Sequence, residues 1–88
     1  MIIDKQYILR QIAGDYVIIP TGKTTLEFNG MITVNEQGAF LWKKLGTEIT
    51  EEELVDAVLE EYEIDRQTAR ADVTEFLDIL RRCGMLSE

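Results

Sequence analysis

The chain changes rhythm at Asn35, and that change limits the folds open to it. In FNGMITV, residues 28 to 34, it reads as a short apolar strand with neither charge nor proline in Met31 to Val34. In NEQGAFLW, residues 35 to 42, it reads as a capped helix ending on the sole tryptophan. Strand patterns fill the first part of the chain and helical spacing fills the rest. That order, strands first and then three helices, is the signature of a small α+β domain. A chain of 88 residues can bury one modest core, so residues 1–88 are read as a single domain.

Upstream, KQYILRQIAGDYVIIP, residues 5 to 20, reads as a hairpin. Tyr7 to Ala13 and Tyr16 to Ile19 are rich in β-branched and aromatic residues, and Gly14-Asp15 is a two-residue turn signal. That turn would set Ile12 opposite Val17 and Arg10 opposite Ile19. Pro20, lacking an N–H, ends the second strand. TGKTTLE, residues 21 to 27, is a polar connection around Gly22, and Asn29-Gly30 is a second turn signal before the third strand, Met31 to Val34.

Each helix carries its own punctuation. Asn35 caps the first, Glu36 suits its positive end, Phe40 or Leu41, Trp42 and Leu45 face inward, and Gly46 closes it. Thr50 and Glu53 fit a capping box at the start of the second, whose apolar stripe is Leu54, Val58, Leu59 and Tyr62 with Val55 alongside. Asp65 caps the third, where Ala69, Val73, Phe76, Leu77 and Leu80 recur at helical spacing. Asp78 can pair with Arg82 one turn on, and Gly84 ends the helix with Met85-Leu86 folding back over its last turn.

Charge and chemistry remove several classes of function. The net charge of −8 lies wholly in residues 51–88, where 12 acids face 4 arginines, and EEELVDAVLEEYE, residues 51 to 63, has no base. Phosphate binding needs the opposite sign, so nucleic acid is not an expected partner. Glu51, Glu52, Asp56 and Glu60 read as a solvated helix face, because calcium loops need a turning backbone around a glycine. No metal site is expected. The chain has no histidine, and its single cysteine, Cys83, has no partner base, so no catalytic residue and no enzyme activity are expected. Gly22-Lys23-Thr24 lacks the earlier glycine of a phosphate loop, and no other cofactor motif is present. No apolar run approaches the roughly 20 residues of a membrane span. The opening MIIDKQYILR does not suit a signal peptide, and a lone cysteine fits a reducing compartment, so a cytoplasmic protein is expected.

Binding remains. Strand edges carry unpaired backbone groups, usually guarded by lysine, proline or charge, and Met31-Ile32-Thr33-Val34 has no such guard. Either this strand lies between two others, or its edge is open to an extended peptide that adds as a further strand. In the second case, proline at Ile32 is expected to remove a main-chain donor and weaken binding.

Taken in order, YILRQIAGDYVIIP, MITVNEQGAFLW, ITEEELVDAVLEEYEID and ARADVTEFLDILRRCGML resemble the PqqD family over nearly the whole chain. These are the coenzyme PQQ synthesis protein D-like domains, also called RiPP recognition elements. The resemblance implies a three-stranded antiparallel sheet followed by three helices, similar to a winged helix–turn–helix. It implies that the leader of a precursor peptide adds as a strand beside Met31, Ile32, Thr33 and Val34. The groove wall would come from Asp72, Val73, Phe76, Leu77 and Leu80, with Asn35, Gly38 and Trp42 shaping the fold. It further implies a free-standing adaptor serving a modifying enzyme, either a radical SAM maturase or a lasso-type peptidase or cyclase, as monomer or homodimer. The competing readings are a winged helix–turn–helix DNA-binding regulator and a homodimer formed through the same strand edge.

Overall fold

The structure, a computed structural model, describes residues 1–3, 7–21 and 32–87. The polar connection around Gly22, the Asn29-Gly30 turn signal and Met31 lie outside the described residues. In chain order the elements are β1 (Ile2–Ile3), β2 (Tyr7–Ile12), β3 (Asp15–Pro20), β4 (Ile32–Val34), α1 (Glu36–Lys44), α2 (Glu51–Glu61), α3 (Arg66–Arg82) and β5 (Leu86–Ser87). Strands β2, β3 and β4 form an antiparallel sheet in that order, and the three helices follow it in the chain.

The β2–β3 turn falls one residue earlier than Gly14-Asp15. Ala13 and Gly14 occupy it at φ 52° and 88°, and Ile12 faces Asp15. Two central residues at positive φ make a type I′ turn, whose twist matches that of the strands it joins. That match holds Ala13 in a conformation costing a Cβ-bearing residue roughly 1–2 kcal/mol. Arg10 consequently faces Val17 instead of Ile19. A shift of two positions leaves every side chain on its expected face, so Tyr7 and Ile18 enter the core with Leu9 packed against them.

The helices begin where their caps are. Asn35 Oδ1 accepts from the Gly38 N–H at 2.8 Å, and Asp65 Oδ1 accepts from the Thr68 N–H at 2.7 Å. Thr50 and Glu53 form the reciprocal capping box, with bonds of 3.2 and 3.0 Å. The third helix ends in a Schellman motif: Gly84, at φ 69°, donates to Arg81, and Met85 donates to Leu80 at 2.9 Å. Met85 is thereby driven fully into the core. Leu86 and Ser87 run on to pair with Ile3 and Ile2, a small second sheet unannounced by any sequence pattern. Asp78 pairs with Arg81, three residues on, instead of with Arg82.

Among the described residues the core is shared by one face of the sheet and the three helices. Ile18, Leu41, Trp42, Leu45, Leu54, Val55, Val58, Ala69, Val73, Leu77 and Leu80 are buried in it, and the half-buried Cys83 packs against its edge. Phe40 stays half-buried and meets Tyr62 edge-on, with ring centroids 5.7 Å apart.

Candidate functional site

Among the described residues β4 is an edge strand, pairing with β3 alone. Which backbone groups it presents outward follows from the hairpin. In a two-residue turn the flanking pair, here Ile12 and Asp15, exchanges both hydrogen bonds, and antiparallel pairs alternate from there. Val17 and Ile19 therefore point their backbone groups toward β2, and Tyr16 and Ile18 point theirs toward β4. Pro20, needing no donor on the β2 side, fits the same alternation. Since Tyr16 faces Val34 and Ile18 faces Ile32, those two residues of β4 bond inward. Thr33 lies between them, with its N–H and C=O directed away from β3, on the side where no strand pairs among the described residues. The donor that proline would remove from that edge thus belongs to Thr33, and proline at Ile32 would break the internal ladder instead.

Alternation also sorts the side chains. Ile32 and Val34 pack against the core, while Thr33 is exposed on the far face. Beside the edge runs a groove of about 230 Å³ between β4, the start of α1 and one face of α3. Leu41 contributes from α1, and Asp72, Glu75, Phe76, Ile79 and Leu80 from α3. Gly38 makes the close approach possible. A Cβ there would sit 3.0 Å from Val34 Cβ and 3.2 Å from the Phe76 ring.

Of the expected wall residues, Asp72, Phe76 and Leu80 line this groove, as do Ile32, Thr33 and Val34. Val73 and Leu77 do not; both are fully buried in the core. Their places are taken by Glu75 and Ile79, which the core stripe alone does not reveal. Residues 72, 75, 76 and 79 recur at three- and four-residue spacing and so mark a second stripe on the same helix.

The acidic face of α2 is partly neutralised from across the helix pair. Arg66 bonds Asp56 at 2.9 Å, Arg70 bonds Glu52, and the Thr74 hydroxyl donates to Glu51. The hydrogen bond that Arg70 donates to Glu52, followed by that carboxylate's charge, holds the Arg70 guanidinium above its ordinary pKa. Two of the arginines a DNA reader would aim at phosphate are thus engaged internally. Among the described residues no three His, Cys, Asp or Glu side chains cluster as metal ligands, and no helix is long and apolar enough to cross a membrane.

No curated protein matches the chain. Its fold matches two solved structures. TbiB1 in complex with the TbiA(beta) leader peptide is 26% identical with a TM-score of 0.77, and the match covers 99% of this chain and 95% of that one. Lasso peptide synthetase B1 complexed with the leader peptide is 17% identical with a TM-score of 0.74, over 98% and 95% of the two chains, and that likeness speaks for the fold alone. The family profile of coenzyme PQQ synthesis protein D (PqqD) matches residues 15–86, and with the matching β2–β3–β4 sheet and three helices it places this chain in the PqqD family.

Proposed function

We propose that this chain is a leader-binding adaptor. It takes the leader of a ribosomally made precursor peptide as a strand added to β4 and presents that peptide to a separate modifying enzyme. The observation that carries the reading is the outward-facing backbone of Thr33 beside a groove with an apolar floor. An added strand gains main-chain hydrogen bonds at the edge, and its alternate side chains reach the groove. The proposed contacts are Ile32, Thr33 and Val34 with Asp72, Phe76 and Leu80, continued by Met31. The fold shared with TbiB1, a protein solved with a leader peptide bound, supports the same mode of use.

The adaptor itself breaks no bond. Holding the leader makes the enzyme's encounter with the rest of the peptide effectively intramolecular, which raises the local concentration of substrate. The enzyme served is a radical SAM maturase or a lasso-type peptidase or cyclase, acting in the cytoplasm with this chain as monomer or homodimer. The test is an NMR titration with the leader of the precursor encoded beside this chain. Shifts confined to the amides of residues 32–34 and the groove face of α3 are expected. Binding that leaves those amides unmoved sinks the proposal.

A further inference from the structure

The groove is apolar along its floor but charged at one end. Asp72 and Glu75 line it, half-buried and exposed respectively, and neither has an ion-pair or hydrogen-bond partner among the described residues. Their neighbours differ in this respect: Glu51, Glu52 and Asp56 are engaged by Thr74, Arg70 and Arg66, and Asp78 by Arg81. One turn further along α3 the lining becomes Phe76, Ile79 and Leu80. A helix rises about 6 Å over four residues, and same-side residues of an extended strand are about 6.6–6.8 Å apart. A strand lying along α3 can therefore set one side chain against the carboxylates and the second residue on against the apolar end.

Building on the strand-addition reading above, we infer that the groove selects peptides carrying Lys or Arg two positions from an apolar anchor. The cation meets Asp72 and Glu75 while the anchor covers Phe76, Ile79 and Leu80. Both carboxylates sit at the rim, so together they contribute roughly two- to fivefold in affinity, and salt weakens it. The apolar anchor and the backbone bonds supply the remaining affinity, and the cation biases which sequence is accepted and in which register.

A library of random peptides of about twelve residues, longer than a typical strand, displayed on mRNA and selected against the full chain tests this. Selection against the Asp72→Lys/Glu75→Lys variant runs in parallel. Wild-type selections should enrich Lys or Arg two positions from an aliphatic or aromatic residue, and the variant should prefer acid at that place. For a selected peptide, replacing the basic residue with Gln should raise Kd about two- to fivefold, and Asp72→Asn/Glu75→Gln should abolish that sensitivity. The milder pair keeps the test intact if the double lysine variant fails to fold by circular dichroism. Peptides that shift the amides of residues 32–34 but show no basic preference, or one that survives Asp72→Asn/Glu75→Gln, overturn this inference and leave strand addition standing. Selection that returns no peptide shifting those amides overturns both.

Discussion

Proline scanning along β4 separates the binding edge from the ladder that holds the strand in place. In Thr33→Pro the lost N–H is the one directed away from β3, and the lost side chain is exposed. Proline is tolerated on edge strands where its missing donor would face solvent, so the free protein should lose no more than about 1 kcal/mol. In the complex the guest's carbonyl meets no donor. The net loss of one hydrogen bond is about 0.5–1.5 kcal/mol, rising to about 1–3 where the orphaned group is shut off from water. Leader affinity should therefore fall at least about two- to tenfold, and up to about 150-fold where the orphaned carbonyl is shut off from water. Ile32→Pro acts differently: it removes a donor bonded inward to β3 and an aliphatic side chain packed on the core. Destabilisation of about 2–4 kcal/mol is expected there, from the ladder bond and the lost burial together. Calorimetric titration gives the affinities, thermal unfolding gives the stabilities, and Thr33→Val, which keeps the N–H, is the control. A folded Thr33→Pro variant binding within about twofold of wild type would show that the edge is unused. If Thr33→Pro instead unfolds as readily as Ile32→Pro, the assignment of inward and outward donors is wrong.

The other predictions concern the groove's frame and the caps. Gly38→Ala gains about 1 kcal/mol of helix propensity but sets its new methyl 3.0 Å from Val34 Cβ, so β4 must shift; a net loss of stability and weaker leader binding are expected by thermal unfolding and titration. Leu77→Ala should cost about 2–5 kcal/mol in a denaturant titration because it hollows the core, whereas Ile79→Ala should leave stability nearly unchanged and weaken leader binding. The Asp65 carboxyl is held below its ordinary pKa, chiefly by the Thr68 backbone N–H and then by the Thr68 side chain. A lowered folded value means that its contribution is present above the unfolded pKa of about 3.9 and is lost as pH falls through the folded value. Asp65→Asn keeps an acceptor but cannot titrate, so its stability relative to wild type should improve as pH drops below about 4, followed by far-ultraviolet circular dichroism.

What was legible in the sequence was what neighbouring residues decide among themselves. Asn35, Thr50 with Glu53, and Asp65 satisfy amides three positions away, and Gly84 supplies a left-handed residue, so all three helix starts and the end of the third were readable, whereas no signal marked the end of α2 at Glu61. The hairpin turn was misplaced because Gly14-Asp15 is the better local turn pair; strand twist and the whole sheet's register outweigh the strain at Ala13. The pairing of Ile2–Ile3 with Leu86–Ser87 joins opposite ends of the chain through two-residue strands, too short for any periodicity to signal. In the groove, Asp72, Phe76 and Leu80 were expected from the resemblance to the PqqD family, whereas the apolar stripe by itself reads as core packing. Glu75 and Ile79 were missed because a mixed polar and apolar stripe resembles an ordinary solvated face until β4 and α1 are known to stand beside it.

The third helix resolves how so small a domain can hold a stable core and an open groove together. At 100° per residue its surface divides into adjoining sectors. Ala69, Val73, Leu77 and Leu80 face the core, and Arg66, Arg70 and Thr74 lie to one side, engaging α2. Asp72, Glu75 and Ile79 lie to the other side and face the groove, with Phe76 on the boundary between core and groove. The centre of the core sector lies about 65° from that of the α2 sector and about 120° from that of the groove sector, so the flank facing the groove lies nearly opposite the flank engaging α2. Because α2 fastens one flank and the core fastens the middle, the groove flank is not needed to hold α3 in place. It can therefore vary in charge and size without unfolding the domain, and Phe76 and Leu80, shared by core and groove, should resist such change.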